Sequence, residues 1–474
     1  MLFNSLSFIQ FFLIVLALHY LPFSWSFKKF NLLIASYVFY AAWNPPFVIL
    51  LWISTVVDWF AAKGIARRQS ATAKRLWVLV SLLCNLGLLG FFKYGGFLLD
   101  NFVLLTNAVG VDFHPARPSI VLPVGISFYT FQTLSYTLDV YRGATKPSRS
   151  FLDYALYVTF FPQLVAGPIV RSVDFLPQCA TERRVAAGQL GWGLSLLTIG
   201  LFEKTVIADG LFAPICDKVY AQAGAAGPLD AWIGTLAFSG QIFCDFAGYS
   251  TCAIGAAMCL GFAIPDNFRF PYAAVGFADF WRRWHISLSS WLRDYLYISL
   301  GGNRTGAART YVNLAVTMLL GGLWHGANWT FVVWGGLHGI YLVIERWARA
   351  LFPPWPLWGA LPMRMTLALT TYLAVLFAWV FFRAQDFTTA WQVTTSMLGV
   401  GRGVGESLVT KIEATIVLAA TSGLLALHWL MRDTTLENVA ARAPWWMRAA
   451  VLGGMLYAMM TVAGDNRSFI YFQF

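Results

Sequence analysis

Residues 318–339 read MLLGGLWHGANWTFVVWGGLHG. The stretch is apolar enough to lie within a bilayer, yet Gly321, Gly322 and Gly326 loosen a helix around Trp324 and His325, and polar Asn328 and Thr330 follow within two turns. A helix broken at membrane depth exposes backbone groups, which is tolerated only against protein or a cavity. An ionisable imidazole there costs more still, so His325 reads as a catalytic or binding residue ahead of a structural one. His338, among glycines at a helix start, reads as packing. His19, His114 and His428 carry no supporting context.

The rest of the chain supplies the membrane around that stretch. Of 474 residues, 58% are hydrophobic and 12% charged, against roughly 25% charged in an ordinary soluble domain. Apolar stretches recur at 5–22, 30–61, 76–99, 192–216, 232–264, 310–344, 366–382, 412–430 and 448–463, each near or above the ~20 residues a helix needs to cross a bilayer. Lipid satisfies no backbone polar groups and barrel strands alternate in polarity, so the reading is an all-α, polytopic integral membrane protein. Met1 to Pro22 lacks a basic start and a cleavage site and reads as a first span.

The net charge of +11 sits in short loops between spans, which is how charge fixes topology, and it does not argue for nucleic acid. Lys28, Lys29 and the basic loop from Lys63 to Arg75 fall on the cytoplasmic face, with Asn44-Pro45-Pro46 turning between two spans. Arg142, Lys146 and Arg149 return to that face, and Arg432, Arg442 and Arg448 mark it again. The last span then delivers Asn466 to Phe474 outside. Phe151 to Ile169, interrupted by Pro162 and Gly167-Pro168, reads as a segment that dips in and returns. The six cysteines show no CxxC pairing and read as packing residues, so no metal is implied.

A second segment does not span. Residues 279–297, DFWRRWHISLSSWLRDYLY, place Phe280, Trp284, Leu288, Trp291 and Tyr295 at helical spacing, with Arg282, Ser289 and Arg293 opposite. The pattern predicts one amphipathic helix lying in the interface on the cytoplasmic side. His285, at the edge of its apolar stripe, reads by itself as a packed, hydrogen-bonded histidine. No HExxH, Walker loop or GxSxG elbow is present. If acyl transfer happens here, the tool is a histidine acting as general base on a hydroxyl, in a cavity that excludes water.

The pair 280–304 and 319–339 resembles the membrane-bound O-acyltransferases (MBOAT), above all the bacterial alginate O-acetyltransferase (AlgI)-like branch, which also includes peptidoglycan O-acetylation and teichoic acid D-alanylation proteins. LPVGISFYTFQTLSYTLDVYRG (122–143), FFPQLVAGPIVR (160–171) and FIYFQF (469–474) extend the likeness in order over most of the chain from about 122 onward. The resemblance implies a helical bundle with re-entrant and interfacial helices around a central funnel. It divides the chain into N-terminal transmembrane helices (1–120), a catalytic core with both histidine motifs (121–345) and C-terminal helices with the FIYFQF tail (346–474).

By the same resemblance His325 is the family histidine in the tunnel and His285 the second histidine, on the cytoplasmic side. The acyl group arrives as a cytoplasmic thioester and leaves outside, where a separate serine hydrolase-like acetyltransferase acts on the polymer. Tyr471 is carried over as an acyl carrier, although Phe469, Tyr471 and Phe474 equally suit an interfacial anchor. Asp245 matches the family acid, but Thr251 stands where a second acid is usual, which weakens any transfer of substrate preference.

The expected function is therefore transfer of an acetyl group from a cytoplasmic donor, acetyl-CoA, for O-acetylation of a cell-surface or exopolysaccharide of alginate or cellulose type, in a bacterial inner membrane. No bound cofactor is called for. Trp324 and Asn328 are expected to shape the tunnel. Arg282, Arg283, Trp284 and Arg293 are expected near the donor mouth, where the arginines suit coenzyme phosphates or lipid headgroups alike. The competing readings are D-alanyl or peptidoglycan acylation on the same fold, or a glycan transporter, for which no inverted repeats or paired mid-membrane charges are visible.

Overall fold

Helices make up every regular element of the computed structural model, which describes the chain except for residues 117–119, 305, 353–355, 401–405, 463–466, 468 and 471–474; no strand occurs among the described residues. Among the described residues, five helices are long and apolar enough to cross a membrane: Pro45–Arg67, Ala71–Ala108, Pro228–Cys259, Leu361–Arg383 and Lys411–Met431. The all-helical membrane reading holds. The chain falls into two units, Met1–Leu194 with Ala253–Pro265, and Ser195–Cys252 with Asp266–Phe474.

In the first unit the Pro45-Pro46 turn separates helix Trp25–Ala41 from helix Val48–Arg67, as its sequence indicates. Helix Ile126–Tyr141 escapes a hydropathy reading because its buried face carries Ser127, Thr130, Gln132, Thr133, Ser135 and Thr137. Several of these groups are satisfied internally, as a dry environment requires. Thr137 Oγ1 donates to Asp58 at 2.7 Å, Thr133 Oγ1 to Asn85 Oδ1 at 3.1 Å, and Asn85 Nδ2 to Asp58 at 2.6 Å. The interrupted segment forms helix Phe151–Thr159 and a single turn, Phe161–Leu164. At 1.5 Å per residue neither can cross a hydrocarbon core of about 30 Å.

The second unit holds both histidine motifs. Helices Ala307–His325 and Trp329–Leu351 form a hairpin whose backbones touch at glycines. A methyl group on Gly322 would collide with the Phe331 carbonyl, and one on Gly335 with the Met318 carbonyl. Small residues at such a crossing let dispersion hold two helices that lipid does not push together. Contrary to the sequence reading, Gly321 and Gly322 do not loosen the helix, which runs on to His325. The break comes at Gly326, in extended conformation, and the next helix starts at Asn328, whose side chain accepts the Thr330 N–H at 3.0 Å.

Residues 279–297 are not one amphipathic helix. Helix Phe277–Trp281 ends, His285 adopts a left-handed conformation (φ 43°), helix Ile286–Trp291 follows, and a π-helical turn covers Leu292–Tyr297. The interruption has a cause in the backbone: Ile286 N–H donates to the Asn267 carbonyl and Arg269 N–H to the Arg283 carbonyl, both at 2.9 Å. The stripe is nevertheless real, since Phe280, Trp284, Leu288, Trp291 and Tyr295 are all buried while Arg282 and Arg293 face outward.

Candidate functional site

The hairpin and the interrupted segment bring the two histidines together. The His285 and His325 rings lie 6.5 Å apart between centroids, with the Trp324 ring 5.8 Å from His285 and 4.9 Å from His325. Trp334 and Phe382 complete the wall around His325, at 5.0 and 5.2 Å. His285 is fully buried and His325 is 3% exposed. Both imidazoles therefore sit in an aromatic, water-poor enclosure, where fixed dipoles act more strongly than in water.

Asn267 fixes His285. Its Oδ1 is the acceptor, because Oδ1 takes the Ser287 N–H at 3.3 Å and the Ser287 hydroxyl at 2.9 Å, while Nδ2 donates to Ser250 Oγ at 3.1 Å. His285 Nδ1, 3.1 Å from the same oxygen, must then be the protonated nitrogen, which leaves the lone pair on Nε2. Burial pushes this imidazole down to about 3, so the ring is neutral at working pH. Neither Asn267 nor Ser250 was singled out by the sequence, although the Pro265-Asp266-Asn267 run is an evident break after a long helix.

The remaining candidates divide. Trp324 belongs to the site. Trp284 is fully buried against Phe280, Phe268 and Trp379 and acts as a wall. Asn328 caps its helix and donates to the Gln385 carbonyl at 2.8 Å. Arg283 pairs with Asp279 at 3.0 Å, and Arg432 binds the other carboxylate oxygen at 2.7 Å. Burial alone would raise Asp279, but the Val275 amide and these two guanidinium groups outweigh it and hold the carboxyl below its ordinary range. Arg282 and Arg293 remain exposed, Arg293 beside Asp294 at 2.7 Å.

Asp245 belongs to a buried charge cluster. Lys204 pairs with Asp245 and, at 2.8 Å, with Asp209. Residues 203–212 are π-helical, a winding that sets side chains five apart on one side and so aligns Lys204 with Asp209. The other Asp245 oxygen accepts the Ile470 backbone N–H at 2.8 Å. Phe469 packs on Phe246 and Tyr249 at 5.6 and 4.8 Å, and Phe246 meets His285 edge-on at 4.6 Å. Arg467 pairs with Asp217, which Arg383 also binds at 2.7 Å. Besides Asp245, the charged Glu203, Lys204 and Asp209 inside the apolar run 192–216 were the available signals for this cluster. Tyr471 lies outside the described residues. Among those residues, no group of three or more His, Cys, Asp or Glu side chains is arranged to hold a metal.

The profile of the MBOAT, membrane-bound O-acyltransferase family, matches residues 144–390, which include both histidines. The probable alginate O-acetylase AlgI of Azotobacter vinelandii is 41% identical over 427 residues, covering 88% of this chain and 83% of that protein. The corresponding Pseudomonas aeruginosa protein is 42% identical over 405 residues, 85% of this chain and 75% of its own length. A peptidoglycan O-acetyltransferase of Helicobacter pylori is 38% identical over 435 residues, 85% of this chain and 80% of its own. An aromatic enclosure holding two histidines, carried on a chain with helices fit to span a membrane, agrees with that kinship: the chain belongs to the membrane-bound O-acyltransferase family and is an enzyme that moves an acyl group from a donor to an oxygen acceptor.

Proposed function

We propose that the protein takes acetyl groups from acetyl-CoA at the cytoplasmic face of a bacterial inner membrane and passes them outward for O-acetylation of an exopolysaccharide of alginate or cellulose type. The observation that carries this reading is the convergence of His325, His285 and the C-terminal segment: Phe469 rests on Phe246, and Phe246 on the His285 ring. Tyr471 follows Ile470 directly in sequence, and Ile470 is hydrogen-bonded to Asp245.

In the proposed reaction His325 takes the proton of the Tyr471 phenol as the phenol oxygen attacks the thioester carbonyl. The C–S bond breaks, the thiolate leaves with the proton held by His325, and an aryl acetate remains on the chain. A phenolic ester is activated enough to hand its acetyl group to a serine hydrolase-like partner outside. His285, with its lone pair directed by Asn267, positions or polarises the donor, and exposed Arg282 and Arg293 meet the coenzyme phosphates.

Membership of an acyltransferase family argues against the glycan-transporter alternative. The Helicobacter pylori relative keeps peptidoglycan as a second acceptor. Incubating the purified protein in nanodiscs with [14C]acetyl-CoA tests the reading. Label should be retained by the wild type at Tyr471 and be lost in Tyr471→Phe. Label that persists in that variant removes the carrier, and no label from acetyl-CoA in the wild type removes the donor. Offering alginate, acetylated-cellulose precursors and peptidoglycan with the partner would then separate the acceptors.

A further inference from the structure

His338 was expected merely to pack, yet its surroundings are unusual for a packing residue. The imidazole is fully buried, and neither ring nitrogen has a hydrogen-bond partner among the described residues. It lies flat against Phe280 (5.9 Å, 10° between planes) and touches Trp281, Trp334 and Tyr341 at 5.1, 4.8 and 5.7 Å. The indole N–H groups of Trp281, Trp334 and Trp379 are likewise buried and unpartnered. These rings adjoin one another, with Trp281 and Trp379 each 5.8 Å from Trp334. Trp334 in turn is the residue that separates His338 from His325.

Buried donors without acceptors are costly, and four such side chains in one aromatic cluster are unusual in a packed interior. Phenylalanine would fill the same volume at no polar cost. The inventory is also lopsided: three indoles and one imidazole nitrogen donate, and only the other imidazole nitrogen accepts. A sugar hydroxyl, which donates as readily as it accepts, would leave donors unmatched, and a cation would find no oxygen. Carbonyl oxygens fit the excess of N–H groups.

We propose that His338, with the indole N–H groups of Trp281, Trp334 and Trp379, forms a binding station beside His325 for the carbonyl oxygens of the donor, namely the thioester and the adjoining amide of its arm. This rests on the reading of the donor as an acyl thioester. The station holds the donor's carbonyls while His325 acts on the acceptor hydroxyl; His338 itself makes and breaks no bond.

The test is His338→Phe compared with His338→Gln, each in nanodiscs, read by thermal unfolding and by steady-state transfer from acetyl-CoA. Phenylalanine should leave the melting temperature equal or higher, because it removes an unpartnered imidazole, while kcat/KM falls roughly 10- to 100-fold. Glutamine, which restores one donor and one acceptor, should recover part of that loss. An unchanged kcat/KM in His338→Phe would overturn the proposal, and so would a marked drop in its melting temperature, since the imidazole would then be holding the fold. S-acetyl-N-acetylcysteamine, a short thioester with one amide, separates the two readings. It should raise the melting temperature of the wild type and not of His338→Phe, whether or not coenzyme A is the natural carrier. Equal shifts in both proteins would exclude the station even if acetyl-CoA transfer is sound.

Discussion

Replacing His325 with alanine should lower acetyl transfer by about 10²- to 10⁴-fold, the range that a positioned general base contributes. The ring stands at the end of one hairpin helix, walled by Trp324, Trp334 and Phe382. His285, whose ring centroid lies 6.5 Å from that of His325, is held in place through its Nδ1 by Asn267. His325→Gln should be nearly as inactive, because a carboxamide fills the space without taking a proton. The measurement is single-turnover transfer of labelled acetyl groups in nanodiscs. Both variants should be as well folded as the wild type by size-exclusion chromatography and thermal unfolding. Activity within tenfold of wild type in His325→Ala would remove His325 from the chemistry.

The second large effect is on stability. Lys204→Met should destabilise the protein by about 3–5 kcal/mol, because it leaves the buried carboxylates of Asp245 and Asp209 without their cation. Asp245→Leu should cost less, since Lys204 keeps Asp209, but it should free the C-terminal segment that Asp245 holds at Ile470. Two measurements separate these outcomes. Thermal unfolding in nanodiscs should show the larger drop for Lys204→Met. Limited trypsin digestion should cut after Arg467 faster in Asp245→Leu than in the wild type, where Arg467 is paired with Asp217. The double variant Lys204→Met/Asp245→Leu should be more stable than Lys204→Met alone, because it removes one of the stranded charges. Equal digestion rates would show that the Asp245 contact does not retain the tail.

The membrane class and the burial of His325 were readable in the sequence for one reason: both depend on the energetic cost of placing a polar group in an apolar run, which a linear chain displays. The apolar stripe of residues 280–295 was readable too, but its continuity was not. What breaks it is a pair of backbone hydrogen bonds from residues 267 and 269, and no local periodicity reports such a partner. Asn267, which sets the His285 tautomer, stayed hidden for the same reason. Arg283 was assigned to the donor mouth because charge at an interface suggests phosphate; in the fold Asp279 and the carbonyls of Arg269 and Arg432 occupy it. The glycines at 321 and 322 were taken as breaks, whereas close helix contact is the other common use of glycine at membrane depth. Helix Ile126–Tyr141 was obscured by polar residues whose partners lie on other helices, Asp58 and Asn85 above all.

One residue is under two opposed demands. His285 holds a left-handed backbone that costs a side-chain-bearing residue about 1–2 kcal/mol and costs glycine almost nothing. In a mutational scan that scores membrane abundance separately from activity, position 285 should therefore rank substitutions in opposite orders. Among the replacements, glycine and asparagine should accumulate better than alanine or β-branched residues, and histidine should be the most active. Selection for yield and selection for turnover should pull this position apart, so a variant library screened only for expression would discard the residue that the proposed chemistry requires.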